Sequence, residues 1–278
     1  MAPSLVVLSV FVVYPMGRAA YLSLTDYDVL NPAKWIGLDN YRELVGDEAF
    51  RNALKNTLVY AAVTTPLSVG LALALAVLLN QRFPGRALAR TAIFVPVVIS
   101  LAIVSFAWTF LLDPDIGWIS YWLGKFGIDS GQGWLRDPDL AMPAVILVGI
   151  WKNVGFYMVI YLAGLQAIPQ QLYEAATIDG ASGWRRFRNV TWPLLANETM
   201  LVFILCAIAT LQAFDHIYVM TSGGPFFRTE TLVLLVYRLG FSEFRFGYAA
   251  AISWVLVGLI LVLSLLQLFY FRRRAVRY

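Results

Sequence analysis

Six apolar runs, each of about twenty residues, decide what this chain can fold into; they lie at about 3–24, 56–80, 91–112, 140–168, 194–216 and 248–270. A hydrocarbon core of about 30 Å is crossed by about 20 helical residues rising about 1.5 Å each, so every run is long enough to span it. Barrel strands would be about half that length and would alternate in polarity, whereas these runs are continuously apolar. A soluble chain would also carry about 25% charged residues spread along its length. Here only 14% are charged, against 60% hydrophobic, and the charges gather between the runs. The pattern predicts an all-α integral membrane protein with six transmembrane helices, forming a single domain over residues 1–278. Pro15, Pro66 and Pro96 fall inside runs and are predicted kink positions. The first run has neither a basic leader nor a small-residue cleavage site, so it is expected to be a retained span.

The arginines orient the bundle. Connections 81–90 and 169–193 and the C-terminal tail hold ten basic residues, among them Arg82, Arg86, Arg90, Arg185, Arg186 and Arg188, against only Glu174 and Asp179. The other three connections hold nine basic and thirteen acidic residues. Loops rich in Lys and Arg stay on the cytoplasmic side, so both termini and the two arginine-rich loops are expected inside. The outer stretches 40–56 and 116–126 are expected at the membrane interface. The first sets Tyr41, Leu44, Val45, Phe50 and Leu54 on an amphipathic path, and the second is rich in Trp and Tyr.

Several chemistries are excluded or unsupported. Cys206 is the single cysteine and His216 the single histidine, so no internal disulfide is possible and no metal site is expected. No basic stripe interleaved with aromatics points to nucleic acid. A phosphate-cradling GxxxxGK[ST] is absent, and no nucleophile with a base or carboxylate pair emerges, which leaves catalysis within the chain unsupported.

Residues 170–195, QQLYEAATIDGASGWRRFRNVTWPLL, are unusual for a mere connector. Ile168 and Pro169 stop the preceding helix, a short helix follows through Leu172, Tyr173, Ala175 and Ala176, and Gly180 suits its left-handed C-terminal cap. Ser182 can cap a second short helix showing Trp184, Phe187 and Val190 on one face, with Pro193 in the first turn of the fifth span. The predicted result is a compact inner knob with small residues exposed to close approach. It resembles the EAA coupling loop of ABC importer permeases, reading Glu174, Ala175, Ala176, Asp179, Gly180, Ala181, Phe187, Pro193 and Leu195. An ordinary Ala-rich interfacial turn would explain the amphipathicity but not this full pattern.

The wider chain agrees. FVVYPMGRAAYLSLTDYD, GLDNYRELVGDEAFRNALKNTL, IFVPVVIS and TSGGPFFRTETLVLLVY are similar to the maltose-type permeases for sugars and glycerol 3-phosphate. The shorter members are the better likeness, because the extra N-terminal spans and large outer insertion of the big maltose permease subunit are missing. The resemblance implies a type I ABC importer permease (MetI-like) fold in a bacterial or archaeal cytoplasmic membrane. It also implies a second permease of similar fold, an extracytoplasmic solute-binding protein, and two ATPase subunits that hold the ATP and Mg. Loop 169–193 would dock on an ATPase and pass on its closure through Glu174, Ala175, Ala176, Asp179, Gly180 and Ala181. The rivals are an ATP-independent secondary transporter or channel, which the knob disfavours, and a membrane enzyme.

Candidate pathway residues are the polar groups inside spans, where a charge costs about 2.5–3.5 kcal/mol on insertion scales. Lys152 and Asn153 lie near the middle of the fourth span. The ammonium can meet a phosphate or sugar hydroxyl, or instead pair with a partner-chain acid or a backbone carbonyl. Gln212 and Asp215 near the outer end of the fifth span are pathway groups or helix-to-helix hydrogen bonders. Arg18 is expected to snorkel or pair, and Glu198 is expected at the cytoplasmic interface. Ser222 and the Gly223, Gly224, Pro225 turn are expected at the outer mouth, either as a binding-protein contact or as a simple tight turn.

Overall fold

A computed structural model describes residues 2–127, 131 and 133–272. Its helices, in chain order, are α1 (Pro3–Leu22), α2 (Asp39–Gly46), α3 (Glu48–Asn80), α4 (Arg86–Val98), α5 (Leu101–Leu111), α6 (Trp118–Lys125) and α7 (Ala141–Ala167). They continue with α8 (Gln170–Ile178), α9 (Gly183–Leu194), α10 (Ala196–Leu211), α11 (Asp215–Thr221), α12 (Leu232–Ser242) and α13 (Phe246–Arg272). Helices α1, α3, α7 and α13 are long and apolar enough to cross a membrane, and the bent pairs α4–α5 and α9–α10 bring the crossings to six when each pair counts as one. A two-residue hairpin, β1 (Thr25–Asp26) and β2 (Lys34–Trp35), pairs antiparallel with Thr25 opposite Trp35.

Two spans depart from the expected continuous helix. The third, expected over 91–112, turns by 102° between α4 and α5. Ile99 and Ser100 are both extended there, three residues past Pro96. Such a break orphans the Val97 carbonyl, which would have accepted from the Leu101 amide in an unbroken helix. The Lys152 ammonium donates to it at 2.9 Å. The fifth span, expected over 194–216, bends by 68° between α9 and α10, so Pro193 falls in the last turn of α9 rather than at the start of the span. It then stops at Leu211 and resumes as α11 after an irregular 212–214 segment. The freed Ala213 carbonyl accepts from the buried Thr231 hydroxyl at 2.9 Å.

The second span also differs from expectation. It begins at Glu48, where the Asp47 carboxylate accepts from the Ala49 amide at 2.8 Å, and it runs unbroken through Pro66 to Asn80. Stretch 40–56 is therefore divided between α2 and the first turns of α3 rather than forming one amphipathic piece. Leu44, Phe50 and Ala53 pack against Leu235 and Ile252 of α12 and α13, while Val45 faces outward.

Packing explains which helices sit centrally. Ala72 and Ala76 of α3 have no exposed surface and admit Met158 and Tyr161 of α7, with Leu195 and Val202 closing this cluster from the α10 side. Small residues permit such approach in the absence of a hydrophobic drive between helices in lipid. A second cluster joins Tyr60, Val104, Val145, Val148, Ile217 and Met220. Helix α1 stands outside both and packs on α13 mainly through its Tyr14–Leu22 half.

Candidate functional sites

The knob between α7 and α10 is built as two capped helices. At the end of α8 the Ala181 amide reaches back to the Ala176 carbonyl at 2.9 Å and the Gly180 amide to Thr177 at 3.0 Å. This double closure needs a left-handed residue, and Gly180 supplies it at φ 72°. Ser182 then accepts from the Arg185 amide and opens α9. Tyr173 and Thr191 share a hydrogen bond of 3.0 Å and Arg186 donates to Thr177 at 3.2 Å, tying the two helices into one unit. Glu174, Ala175, Asp179 and Gly180 are exposed, and Ala176 and Ala181 are half-buried. Glu174 accepts from Gln170 at 3.0 Å. Trp184 stacks on Phe187 with centroids 5.5 Å apart. Ile178, 87% exposed, gives the knob an apolar tip that the sequence reading did not single out. Its apolar side chain in an otherwise small and polar stretch was the available signal.

Where the two broken spans meet α7, a cavity of 180 Å³ opens, lined among others by Tyr60, Thr64, Leu101, Gly149, Asn153, Thr210, Gln212, Asp215 and His216. Asn153, Gln212 and Asp215 are thus brought together. Lys152 is not among the lining residues; it is 7% exposed and spends its ammonium on the Val97 carbonyl. Asn153 donates to the Gly149 carbonyl at 3.0 Å. Tyr60 and His216, both buried, share a hydrogen bond of 2.8 Å between the phenol oxygen and Nε2. Gly149 makes room for this pair, since a side chain there would overlap the Tyr60 oxygen. Sequence reasoning named His216 only as structure and missed Tyr60 and Gly149, because their meeting depends on which helices become neighbours.

Gly223, Gly224 and Pro225 form a turn beyond α11, with Gly223 at φ 85° and a cis bond before Pro225. They do not line the 180 Å³ cavity. Gly224 and Pro225 instead border a second hollow of 430 Å³ with Asp113 and Arg136. Buried polar groups hold the following loop. Asn56 donates to the carbonyls of Phe227 and Glu230 at 2.9 and 3.0 Å, and Arg238 binds Glu230 at 2.8 Å. Glu198 packs its side chain against Gly164 of α7, inside the bundle wall.

The arrangement joins a capped knob, two broken spans and a polar cavity along the same helices, and named permeases are similar to this chain over nearly its whole length. A lactose transport system permease protein, LacF, from Rhizobium radiobacter is 39% identical over 98% of this chain and 93% of its own. An sn-glycerol-3-phosphate transport system permease protein, UgpA, from Agrobacterium fabrum is 35% identical over 98% and 93% respectively. Among solved structures, a bacterial alginate ABC transporter in complex with an alginate pentasaccharide-bound periplasmic protein superposes with a TM-score of 0.86 at 26% identity, covering 98% of this chain and 92% of that one. Residues 81–276, which include the knob and every cavity-lining residue beyond α3, match the family model for these permeases, and the chain belongs to that family, the binding-protein-dependent transport system inner membrane components.

Proposed function

We propose that this permease is one membrane half of an ATP-driven importer for a sugar or a glycerol-phosphate-type solute, seated in a bacterial or archaeal cytoplasmic membrane with both termini inside. One observation carries the reading: the knob sits at one end of α7 and α10, and the cavity lies farther along the same two helices. Helix α7 ends at Ala167 beside the knob and carries Asn153 to the cavity wall, about 21 Å away at about 1.5 Å per residue. Helix α10 leaves the knob at Leu195 and reaches the cavity at Thr210. A push on Glu174, Ala175, Ala176, Asp179, Gly180 and Ala181 is therefore delivered to the walls of the solute path.

The chain is a permease subunit and not an enzyme itself, so the push comes from elsewhere. Two ATPase subunits holding ATP and Mg would supply it, a second permease of similar fold would complete the path, and an extracytoplasmic binding protein would deliver solute. The alginate transporter's complex with its periplasmic protein supports that last partner. The Gly223, Gly224 and Pro225 turn, at the end of the molecule away from the knob, is the proposed contact for it. The arginine-rich connections beside the knob support the inward placement of that end.

Affinity purification of the tagged chain, expressed with the other subunits of its transporter, should retain an ATPase. The variant Gly180→Asp should abolish ATP-dependent uptake. An assembly that never holds an ATPase, together with undiminished uptake by Gly180→Asp, would overturn the reading.

A further inference from the structure

We propose that the groove between α3 and the knob binds one anionic glycerophospholipid, with its acyl chains along α3 and its phosphate among the arginines at the groove's inner mouth. The inference goes beyond the importer reading and does not depend on the cargo. The groove measures 570 Å³ and is walled by the inner end of α3 on one side and by Trp184 and Phe187 of α9 on the other. On α3 the wall consists of Gly70, Ala74, Val77, Leu78 and Gln81, which recur at helical spacing and share a face. Gly70 and Ala74 are small and exposed, and a Cβ at Gly70 meets nothing within 4 Å, so the protein's own side chains leave the deep end open. From Gly70 to Gln81 the groove runs about 16 Å at about 1.5 Å per residue. One leaflet of a hydrocarbon core of about 30 Å is about 15 Å deep, so the groove has the length of one acyl layer.

Lining and mouth differ in chemistry. Among the described residues no charged side chain lines the groove, and the Trp184 ring is 69% exposed. At the mouth, Arg82 follows Gln81 in the chain, and Arg185 and Arg188 follow Trp184 and Phe187; all three are exposed. Arg90 is held at the same end of α3 by its 2.7 Å hydrogen bond to the Leu79 carbonyl. None of these four arginines is in an ion pair among the described residues. The knob's acids lie elsewhere: Glu174 belongs to α8 and lines a different hollow with Arg186. Basic clusters where an apolar groove meets the membrane surface attract anionic headgroups, and a Trp at that level suits the boundary between acyl chains and headgroups. A zwitterionic lipid or an apolar helix would fill the groove and leave the arginines without a counter-charge. The lipid so held lies between a wall helix and the knob.

The test takes the assembled transporter in detergent, offers it phosphatidylglycerol and phosphatidylcholine in equal amounts, and reads the retained lipid by native mass spectrometry. Wild type should retain phosphatidylglycerol in preference to phosphatidylcholine. Ala74→Trp sets an indole into the groove from an exposed position and should remove one retained phosphatidylglycerol. Leu261→Trp, the same addition at an exposed site on α13, should remove none. Arg82→Gln combined with Arg188→Gln should lower the preference for phosphatidylglycerol by about fivefold for each arginine withdrawn. Retention unchanged by Ala74→Trp, or a headgroup preference unchanged by the arginine pair, would overturn the site. Loss of another subunit from the Ala74→Trp assembly with the lipid count intact would overturn it too, because a protein would then fill the groove. Should Ala74→Trp fail to assemble, the exposed arginine pair decides alone. A chain that purifies without an ATPase counts against the importer reading, while its lipid count still decides this proposal.

Discussion

At position 155 the lack of a side chain sets how near two spans come. A Cβ on Gly155 would overlap the Ile93 carbonyl oxygen and lie 3.0 Å from the Phe94 Cα, both backbone atoms that cannot swing aside. Gly155→Ala should therefore cost about 1–3 kcal/mol, the usual range for overpacking, seen as a lower unfolding midpoint of the solubilised protein. Gly70→Ala, with nothing within 4 Å, should lose nothing, so equal midpoints for the two variants would refute the close-approach argument. Gly180 works differently. Its added Cβ would also meet nothing within 4 Å, but its φ of 72° charges any L side chain about 1–2 kcal/mol. Local chemistry of this kind was legible in the chain: a short helix followed by Gly and then Ser announces its caps. Gly155 was not legible, because its role depends on a backbone sixty residues distant in sequence, on the order of the separation that local patterns cannot report. The same holds for Lys152, whose neighbours in sequence left a solute and a carbonyl equally open.

Among the elements, the apolar runs were readable because insertion length and hydropathy are properties of a segment by itself. The breaks at Ile99–Ser100 and at 212–214 were not, since an averaged hydropathy carries no direction and a freed carbonyl survives only where a group such as Lys152 or Thr231 arrives to take it. The start of α3 at Glu48 escaped for a related reason: the polar residues of its first turns read as part of a separate interfacial stretch, although two of them, Asn52 and Asn56, hold the Phe227 carbonyl across the fold. That 222–231 loop is the element where buried charge matters most. The Glu230 side chain is 3% exposed and faces Arg238 at 2.8 Å, so Arg238→Met strands a carboxylate in an apolar setting. The expected loss is about 3–5 kcal/mol, and adding Glu230→Gln should restore a large part of it. Unfolding midpoints of the single and double variants check this; a double variant no more stable than Arg238→Met would show that the pair is not what holds the loop.

The molecule as a whole has two chemically distinct ends. Helix α7 runs from Ala141, beside the acidic connections, to Ala167, beside the knob, and α3 runs from Glu48, near the Phe226 loop, to Asn80, next to Arg82 and Arg86. Every arginine-rich connection among the described residues thus gathers at one end, which retention of Lys and Arg on the cytoplasmic side would make the inner one. The single native thiol is a convenient silence against which to test that orientation, since Cys206 is 1% exposed. Phe226, 84% exposed, and the exposed Gln81 between α3 and α4 mark the two ends. A membrane-impermeant maleimide added to intact spheroplasts should label Phe226→Cys and leave Gln81→Cys unmodified until the membrane is opened. The opposite order would place the knob outside, out of reach of any nucleotide-driven partner in the cytoplasm, and the lever formed by α7 and α10 would then have nothing to push it.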